Sequence, residues 1–243
     1  MQRQFGIIGY PLSHSFSPAY FTKKFAEENI SAAYTAFPLS SITNYPALLQ
    51  LYTGLEGLSV TIPYKEAIIP CLDSLDDTAK EIGSVNCIAL KNGISKGYNT
   101  DAPGFQMSLA PLLQSHHTHA LILGTGGASR AVAYVLTQLG IAFQKVSRVK
   151  TKGDLTYEEL TPSIIQRHTL IINTTPLGMY PHTAAAPPLP YDHLTPQHLL
   201  YDLIYNPEET MFLTLGKAQG SVIKNGHEML LLQAEASWAI WQQ

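Results

Sequence analysis

Short apolar runs alternate with helix-patterned stretches along almost the whole chain, and this alternation constrains the fold most. Residues 5–9, 32–39, 58–61, 84–90, 95–98, 120–123, 143–147, 170–173 and 199–203 have the length and apolar character of buried strands. Helical patterns occupy 18–29, about 42–52, a stretch starting at Pro63, 102–113, 129–139 and about 226–241. In 18–29 a proline sits in the first turn, and Phe21, Phe25 and Ile30 share one face. Asn92-Gly93 between two strand runs marks a tight hairpin. Apolar strands separated by helices predict an α/β fold, with a mostly parallel sheet covered by helices. A polar loop at 114–119 interrupts the alternation, which puts a domain boundary near 101–114. The Pro-rich stretch 181–190 reads as a loop, because strand patterns resume beyond it. By its pattern alone the last helix packs on either block.

Composition excludes several classes. With 45% hydrophobic and 14% charged residues, the 243-residue chain can build a substantial core and is not disordered. A net charge of −3 without any Lys/Arg-rich block argues against nucleic acid as the main partner. No apolar run reaches the roughly 18 residues needed to cross a bilayer. The run at 5–9 is too short for a signal-peptide core. Cys71 and Cys87 form no metal or redox motif, which fits a reducing cytoplasm. No metal is expected. His116, His117 and His119 lie in the polar loop with no carboxylate or cysteine beside them.

Chemistry is expected where strands end. Thr61-Ile62-Pro63-Tyr64-Lys65 directly follows the strand Gly57-Leu58-Ser59-Val60. Ligands of α/β domains bind at strand ends, and a lysine there can give or take a proton at a substrate oxygen. Ser13, Ser15 and Ser17 alternate after the first strand, with His14 among them, and precede a helix. They suit an anion, or Ser17 simply caps the helix. Asn86 lies in an apolar strand and needs partners, so it either braces backbone or faces a ligand. Asn99-Thr100-Asp101 follows the hairpin, and Asp101 alone reads equally as a helix cap.

The second block opens with the strand 120–123, then Gly124-Thr125-Gly126-Gly127-Ala128 and a helix. Glycines in that position permit a tight turn and close approach to a pyrophosphate at a helix N-terminus. Ser129 stands where the third glycine of the usual fingerprint belongs. The next strand ends in Ser147-Arg148-Val149-Lys150-Thr151-Lys152, with no carboxylate. An acidic residue there would favour NAD, whereas these cations suit a 2′-phosphate and hence NADP. Read alone, the segment is also compatible with a solvated basic loop.

Pro11 to Pro18, Val60-Thr61-Ile62-Pro63-Tyr64-Lys65, Gly83-Ser84-Val85-Asn86, Asn99-Thr100-Asp101 and Gly124 to Ala128 occur in that order. They are followed by Asn173-Thr174-Thr175-Pro176-Leu177-Gly178-Met179, Tyr201-Asp202-Leu203-Ile204-Tyr205-Asn206-Pro207, and Asn225-Gly226 with Met229-Leu230 and Gln233-Ala234. Through these motifs nearly the whole chain resembles the shikimate dehydrogenase family. The resemblance implies an N-terminal substrate domain over 1–104, a Rossmann-like NADP-binding domain over 105–226, and a C-terminal helix at about 227–243 returning to the first domain. It implies that Lys65 and Asp101 are the catalytic pair. Ser15, Ser17 and Tyr205 look like the hydroxyls that hold the substrate carboxylate. Thr61, Asn86 and Gln233 look like contacts to the ring hydroxyls and the reacting oxygen. Gly124, Thr125, Gly126, Gly127 and Ala128 match the pyrophosphate loop, and Ser147, Arg148 and Lys152 match the 2′-phosphate side. Thr174, Leu203, Gly226 and Met229 match the nicotinamide half, and Asp77 matches a further cofactor-side position.

The chain departs from the family pattern at Cys87, where threonine is more usual, and at Ser147-Arg148-Val149, where Asn-Arg-Thr is frequent. Gln233 also has support from the pattern itself, since Met229, Gln233, Ala236 and Ile240 share a helical stripe. The implied activity is reversible NADPH-dependent reduction of 3-dehydroshikimate to shikimate, in the cytoplasm, by a monomer or homodimer. The alternatives are a quinate/shikimate dehydrogenase with relaxed use of NAD and NADP, and a non-catalytic sensor of a dinucleotide or small acid. The sensor has no need of Lys65 and Asp101 together.

Overall fold

The computed structural model describes residues 2–13 and 15–243, so His14 of the serine loop lies outside the described residues. The chain divides into two compact units, Met1–Thr100 with Ala234–Gln243, and Asp101–Gln233.

The first unit contains β1 (Arg3–Gly9), α1 (Phe16–Glu27), β2 (Ala32–Pro38), α2 (Tyr45–Leu51), β3 (Leu55–Val60), β4 (Ser74–Leu75), α3 (Asp77–Ile82), β5 (Cys87–Lys91) and β6 (Ile94–Tyr98). Its six-stranded sheet runs β2-β1-β3-β5-β6-β4. β1 pairs in parallel with β2 and β3, so the crossover direction reverses at β1. β5 is antiparallel to both β3 and β6. Asn92 and Gly93 turn the β5–β6 hairpin with φ of 52° and 77°, the left-handed values such a turn requires. Strand alternation sends Ile8, Leu58 and Ile88 to one face with Tyr45, Leu48 and Ile68. Phe5, Cys87 and Ala89 go to the other face, with Phe21, Phe25 and Trp241.

The second unit begins with α4 (Asp101–Leu109), then β7 (His119–Leu123), α5 (Gly127–Gln138), β8 (Ala142–Ser147), β9 (Leu155–Thr156), α6 (Pro162–Arg167), β10 (Leu170–Asn173), β11 (Leu199–Asp202), α7 (Met211–Ala218), β12 (Val222–Lys224) and α8 (His227–Trp241). Its six strands are ordered β12-β11-β10-β7-β8-β9, and each pairing is parallel. This is the doubly wound arrangement, with its switch point between β7 and β10. The division between units falls inside α8, whose residues from Ala234 onward belong to the first unit. There Trp241 lies over Gly57, whose hydrogen leaves the room that a Cβ would fill, and its Nε1–H donates to the Ile88 carbonyl at 3.0 Å. The α/β fold with two sheets agrees with the expectation, and so does the return of the last helix.

Several local expectations are corrected. No regular helix starts at Pro63. The chain makes separate turns through Tyr64 N–H to Thr61 O and Ile68 N–H to Tyr64 O, while the Lys65 carbonyl accepts from Val85 N–H at 2.7 Å. A helical ladder would need that carbonyl for its own fourth neighbour. The strand expected at 84–90 starts at Cys87, so Asn86 lies just before it. The helix expected over 102–113 ends at Leu109 and tightens into a 3₁₀ turn, Ala110–Leu112. On α8 Ala234, Ser237 and Trp241 form a buried line, and of the stripe Met229, Gln233, Ala236 and Ile240 only Met229 is buried, the other three lying on the flank. Trp241, the largest apolar side chain on that face, sets the helix's rotation. The expectations do not include α3, α6, α7, β4, β9 or β12; the three strands have only two or three residues and α3 and α6 only six, too short to show a period.

Candidate active site

In the first unit the strand topology collects the expected residues at one sheet edge. The connection after β1 carries Ser15 and leads into the first turn of α1 with Ser17, and the loop after β3 carries Thr61 and Lys65. Because β5 is antiparallel, its start, and with it Asn86, lies at the same edge as the ends of β3 and β6. Thr61 N–H donates to Ile8 O at 2.9 Å and Tyr10 N–H to Ile62 O at 3.1 Å, tying the two loops together. Gly9 permits that approach, since a Cβ there would come 2.8 Å from Leu12 and overlap the Thr61 methyl.

Lys65 lies half-buried between two anchors. Ile68 is wholly buried, and the Tyr64 hydroxyl donates to Leu39 O at 2.6 Å. Ser15, not Ser17, holds the N-cap position of α1, and its side chain makes no capping bond. Ser17 is buried in the first turn beside Tyr34, whose hydroxyl donates to Ser59 at 2.8 Å. The Asn86 amide braces backbone. Its Oδ1 accepts from Thr100 N–H at 2.6 Å, and its Nδ2 donates to Thr100 Oγ1 at 2.9 Å. Thr100 is further bonded to Ser237 Oγ at 2.9 Å. Cys87 faces Ser237 and Trp241, and burial pushes its thiol up to about 12, so it acts as an inert core group.

In the second unit the loops after β7, β8, β10 and β11 carry residues 124–128, 147–152, Thr174 and 203–205 along the carboxyl edge of the parallel sheet. Bonds that continue the ladder past the strand ends pin each loop to its neighbour. Gly124 N–H donates to Val146 O at 2.9 Å, Thr174 N–H to Leu123 O at 2.9 Å, and Leu203 N–H to Asn173 O at 3.0 Å. Gly124 has φ of 112°, and a Cβ there would stand 2.7 Å from Thr174 Oγ1. Gly126 is the N-cap of α5, and the position of its missing Cβ faces open space. Ser129, in place of the third glycine, donates its hydroxyl back to Gly126 O at 2.6 Å and closes the loop. Thr125, Gly127 and Ala128 complete a cradle with backbone N–H groups at a helix start. A pyrophosphate fits this donor set.

Beside it, Asp202 is wholly buried and collects Thr210 Oγ1 at 2.6 Å, Ile204 N–H at 3.0 Å and Asn173 Nδ2 at 3.1 Å. Burial raises its carboxyl to about 6 against the pull of these donors. The network fixes the turn carrying Leu203 and Tyr205, whose phenol is pushed up by burial. Gly226 N–H donates to Ile204 O at 2.9 Å, and a Cβ there would overlap the Leu203 carbonyl. A Cβ on Gly104 of α4 would stand 2.9 Å from the Met229 carbonyl oxygen, and Gln233 Nε2 donates to Leu230 O at 2.9 Å. Asp101 is the buried first residue of α4.

At the end of β8, Arg148 and Lys152 are exposed and the Ser147 hydroxyl accepts from Val149 N–H at 3.2 Å. A carboxylate missed by the sequence reading joins them. Glu159 binds Lys150 Nζ at 2.7 Å and 2.8 Å, and Lys150 also reaches Asp154 O at 2.9 Å. The signal was present in Thr156-Tyr157-Glu158-Glu159, a capping box at the end of β9.

Asp77 is exposed in the first turn of α3, which follows the edge strand β4 along the chain. His116 and His117 both lie against Gln197 O, at 3.0 Å and 3.3 Å, where they tie the polar loop down. Among the described residues no helix is long and apolar enough to cross a membrane.

Residues 7–88 match the family described as the shikimate dehydrogenase substrate binding domain. A shikimate dehydrogenase (NADP(+)) of Methanosphaera stadtmanae is 35% identical over 97% of this chain and 90% of its own length. The crystal structure of shikimate dehydrogenase 1 from Peptoclostridium difficile superposes with a TM-score of 0.86 at 39% identity, covering 99% of this chain and 91% of that one. A shikimate 5-dehydrogenase of Thermus thermophilus, solved in complex with NADP(H) and shikimate, gives a TM-score of 0.88 at 29% identity over 98% and 93% of the two chains.

Proposed function

This chain belongs to the shikimate dehydrogenase family, NADP-dependent oxidoreductases acting on a CH–OH group, and on that premise we propose how its own residues carry the reversible reduction of 3-dehydroshikimate to shikimate. The observation that carries the proposal is the convergence of Ser15, Ser17, Thr61, Lys65 and Asn86 on one edge of the first unit's sheet.

NADPH, when bound, supplies the hydride for the C3 carbonyl carbon. As the carbonyl is reduced, negative charge grows on its oxygen and must be met by a proton or a cation. Lys65 is the group that meets it, held by the anchored Tyr64–Ile68 turn. Asp101 is its partner in proton handling, and the Asn86–Thr100 bonds fix the backbone immediately before it. Thr61, Asn86 and Gln233 orient the ring hydroxyls, and Ser15, Ser17 and Tyr205 hold the carboxylate. Residues 124–128 cradle the pyrophosphate. Arg148 and Lys152, with Ser147, take the 2′-phosphate. Thr174, Leu203, Gly226 and Met229 flank the nicotinamide, with Asp77 on the cofactor side. In this reading the substrate domain comprises 1–104 with the helix at about 227–243, and the cofactor domain comprises 105–226. The protein works in the cytoplasm as a monomer or homodimer without nucleic acid; its cysteines are free thiols, which suits a reducing compartment.

The deciding assay follows nicotinamide reduction with shikimate or quinate and with NADP+ or NAD+. Oxidation of shikimate with NADP+, and far less with the other three combinations, is expected. Equal rates with NAD+ would replace this reading by a relaxed quinate/shikimate dehydrogenase. No oxidation at all would return the sensor.

A further inference from the structure

The loop that carries the cofactor-selecting cations is less positive than its sequence. Arg148, Lys150 and Lys152 follow one another within the turn after β8, and Lys152 closes its 3₁₀ helix. β9 runs parallel to β8 with Ser147 opposite Thr156, so the end of β9 delivers its own turn to the same edge. The fourth residue of that turn is accounted for by two duties. Glu159 closes the capping box by accepting from Thr156 N–H at 2.7 Å, and it grips Lys150 with both oxygens. The Lys150 ammonium then has its remaining reach taken by Asp154 O at 2.9 Å. The hydrogen bonds from the Lys150 ammonium and the Thr156 N–H hold the Glu159 carboxyl below its ordinary range, so it carries its negative charge at neutral pH. Arg148 stands close enough to Tyr157, next along the same turn, for its charge to bear on that phenol.

We propose that Glu159 is a specificity-determining residue, which sets how strongly this chain prefers a 2′-phosphorylated adenosine by retaining Lys150 as its counter-ion and leaving phosphate recognition to Arg148 and Lys152. The inference rests on the assignment of this edge to the adenosine 2′-phosphate. A cation held by a carboxylate contributes little field at a neighbouring phosphate, because the two charges cancel beyond their own separation. Release of Lys150 adds one positive charge within the loop, and the gain is screened by salt because the site faces solvent.

Titration calorimetry with 2′,5′-ADP and with 5′-ADP separates phosphate recognition from catalysis. Glu159→Gln keeps an acceptor for Thr156 N–H and removes the charge. It is expected to tighten 2′,5′-ADP about three- to five-fold, the size of one exposed charge interaction. The same change leaves 5′-ADP within about two-fold of wild type, and the gain disappears in molar salt. The double variant Lys150→Gln with Glu159→Gln removes both charges and is expected to bind 2′,5′-ADP as the wild type does; melting curves verify that each variant folds. An unchanged ratio of the two affinities in Glu159→Gln overturns the inference. So does a double variant that loses ten-fold for 2′,5′-ADP, since Lys150 would then grip the phosphate already. Should Glu159→Gln fail to fold, Lys150→Gln decides: a loss for 2′,5′-ADP of less than about ten-fold supports the inference, and a larger loss overturns it. A wild type with no preference for 2′,5′-ADP over 5′-ADP overturns the phosphate-site assignment itself, and this inference with it.

Discussion

Asn86 and Thr100 are joined by a pair of hydrogen bonds, Asn86 Oδ1 accepting from the Thr100 backbone N–H at 2.6 Å and Asn86 Nδ2 donating to Thr100 Oγ1 at 2.9 Å. Both residues are buried. The pair therefore fixes the backbone at the point where Asp101 follows, while placing Asn86 at the edge that carries Thr61 and Lys65. Asn86→Ala leaves the Thr100 N–H without its acceptor, a loss of about 1–3 kcal/mol. Urea unfolding is expected to show that loss. Turnover is expected to fall in addition under conditions where the variant is fully folded, and normal turnover there would remove Asn86 from the site.

Lys65→Ala tests proton handling directly. Removal of a positioned acid–base group costs about 10²- to 10⁴-fold in rate. The expected outcome is a kcat lowered within that range with a smaller change in the KM for shikimate. A variant with near-normal turnover would sink the assignment.

Gly126→Ala separates the cradle from the fold. A methyl group there meets nothing within 4 Å and the residue's φ is −82°, so melting temperature is expected to stay at the wild-type value. The methyl group would stand where, on the proposed assignment, the pyrophosphate approaches the backbone. Dinucleotide affinity, read by calorimetry, is expected to fall by at least about ten-fold, equivalent to about 1.4 kcal/mol. Unchanged affinity would place the pyrophosphate elsewhere.

Gly57→Ala probes the return of α8 to the first unit. Its methyl group would overlap the Trp241 indole, and the Trp241 bond to Ile88 O would be lost with the displacement. Overpacking of this kind costs about 1–3 kcal/mol. A lower urea midpoint together with red-shifted tryptophan emission is expected, and wild-type emission would contradict the packing described.

Acid stability is expected to depend on His117 and His168. Burial is the largest cause that lowers both imidazoles below their ordinary range. A depressed folded pKa means that the folded state favours the neutral ring. The contribution is therefore fully present above the unfolded value of about 6.5 and is lost as pH falls through the folded values. Asp202 acts with the opposite sign. Its carboxyl is raised to about 6, so its contribution is present in acid and lost as pH rises through that value. Melting temperature measured from pH 7.5 down to 5 should fall less steeply in His117→Gln with His168→Gln than in the wild type. Parallel curves would show that these rings do not titrate on unfolding.

Much of the architecture was legible along the chain because it depends on neighbours in sequence. Apolar runs of strand length, the Asn92-Gly93 turn and the glycines after β7 obey steric and hydrogen-bonding preferences that act over a few residues. They established the α/β alternation, the hairpin and the glycine turn that opens α5. The motifs then supplied the proposed site residues, though with no means of telling which would share an edge. Tertiary structure decided that. Insertion of β5 antiparallel between β3 and β6 carries Asn86 and Thr100 to the end of β3. The parallel pairing of β9 with β8 brings Glu159 to Lys150, in a loop that reads as purely basic. Trp241, seated over Gly57, rotates α8 so that Ala234 and Ser237 face inward and Gln233 lies on the flank. Each of these outcomes depends on pairing and packing between separate segments, where strand register and the volume of one indole outweigh local periodicity.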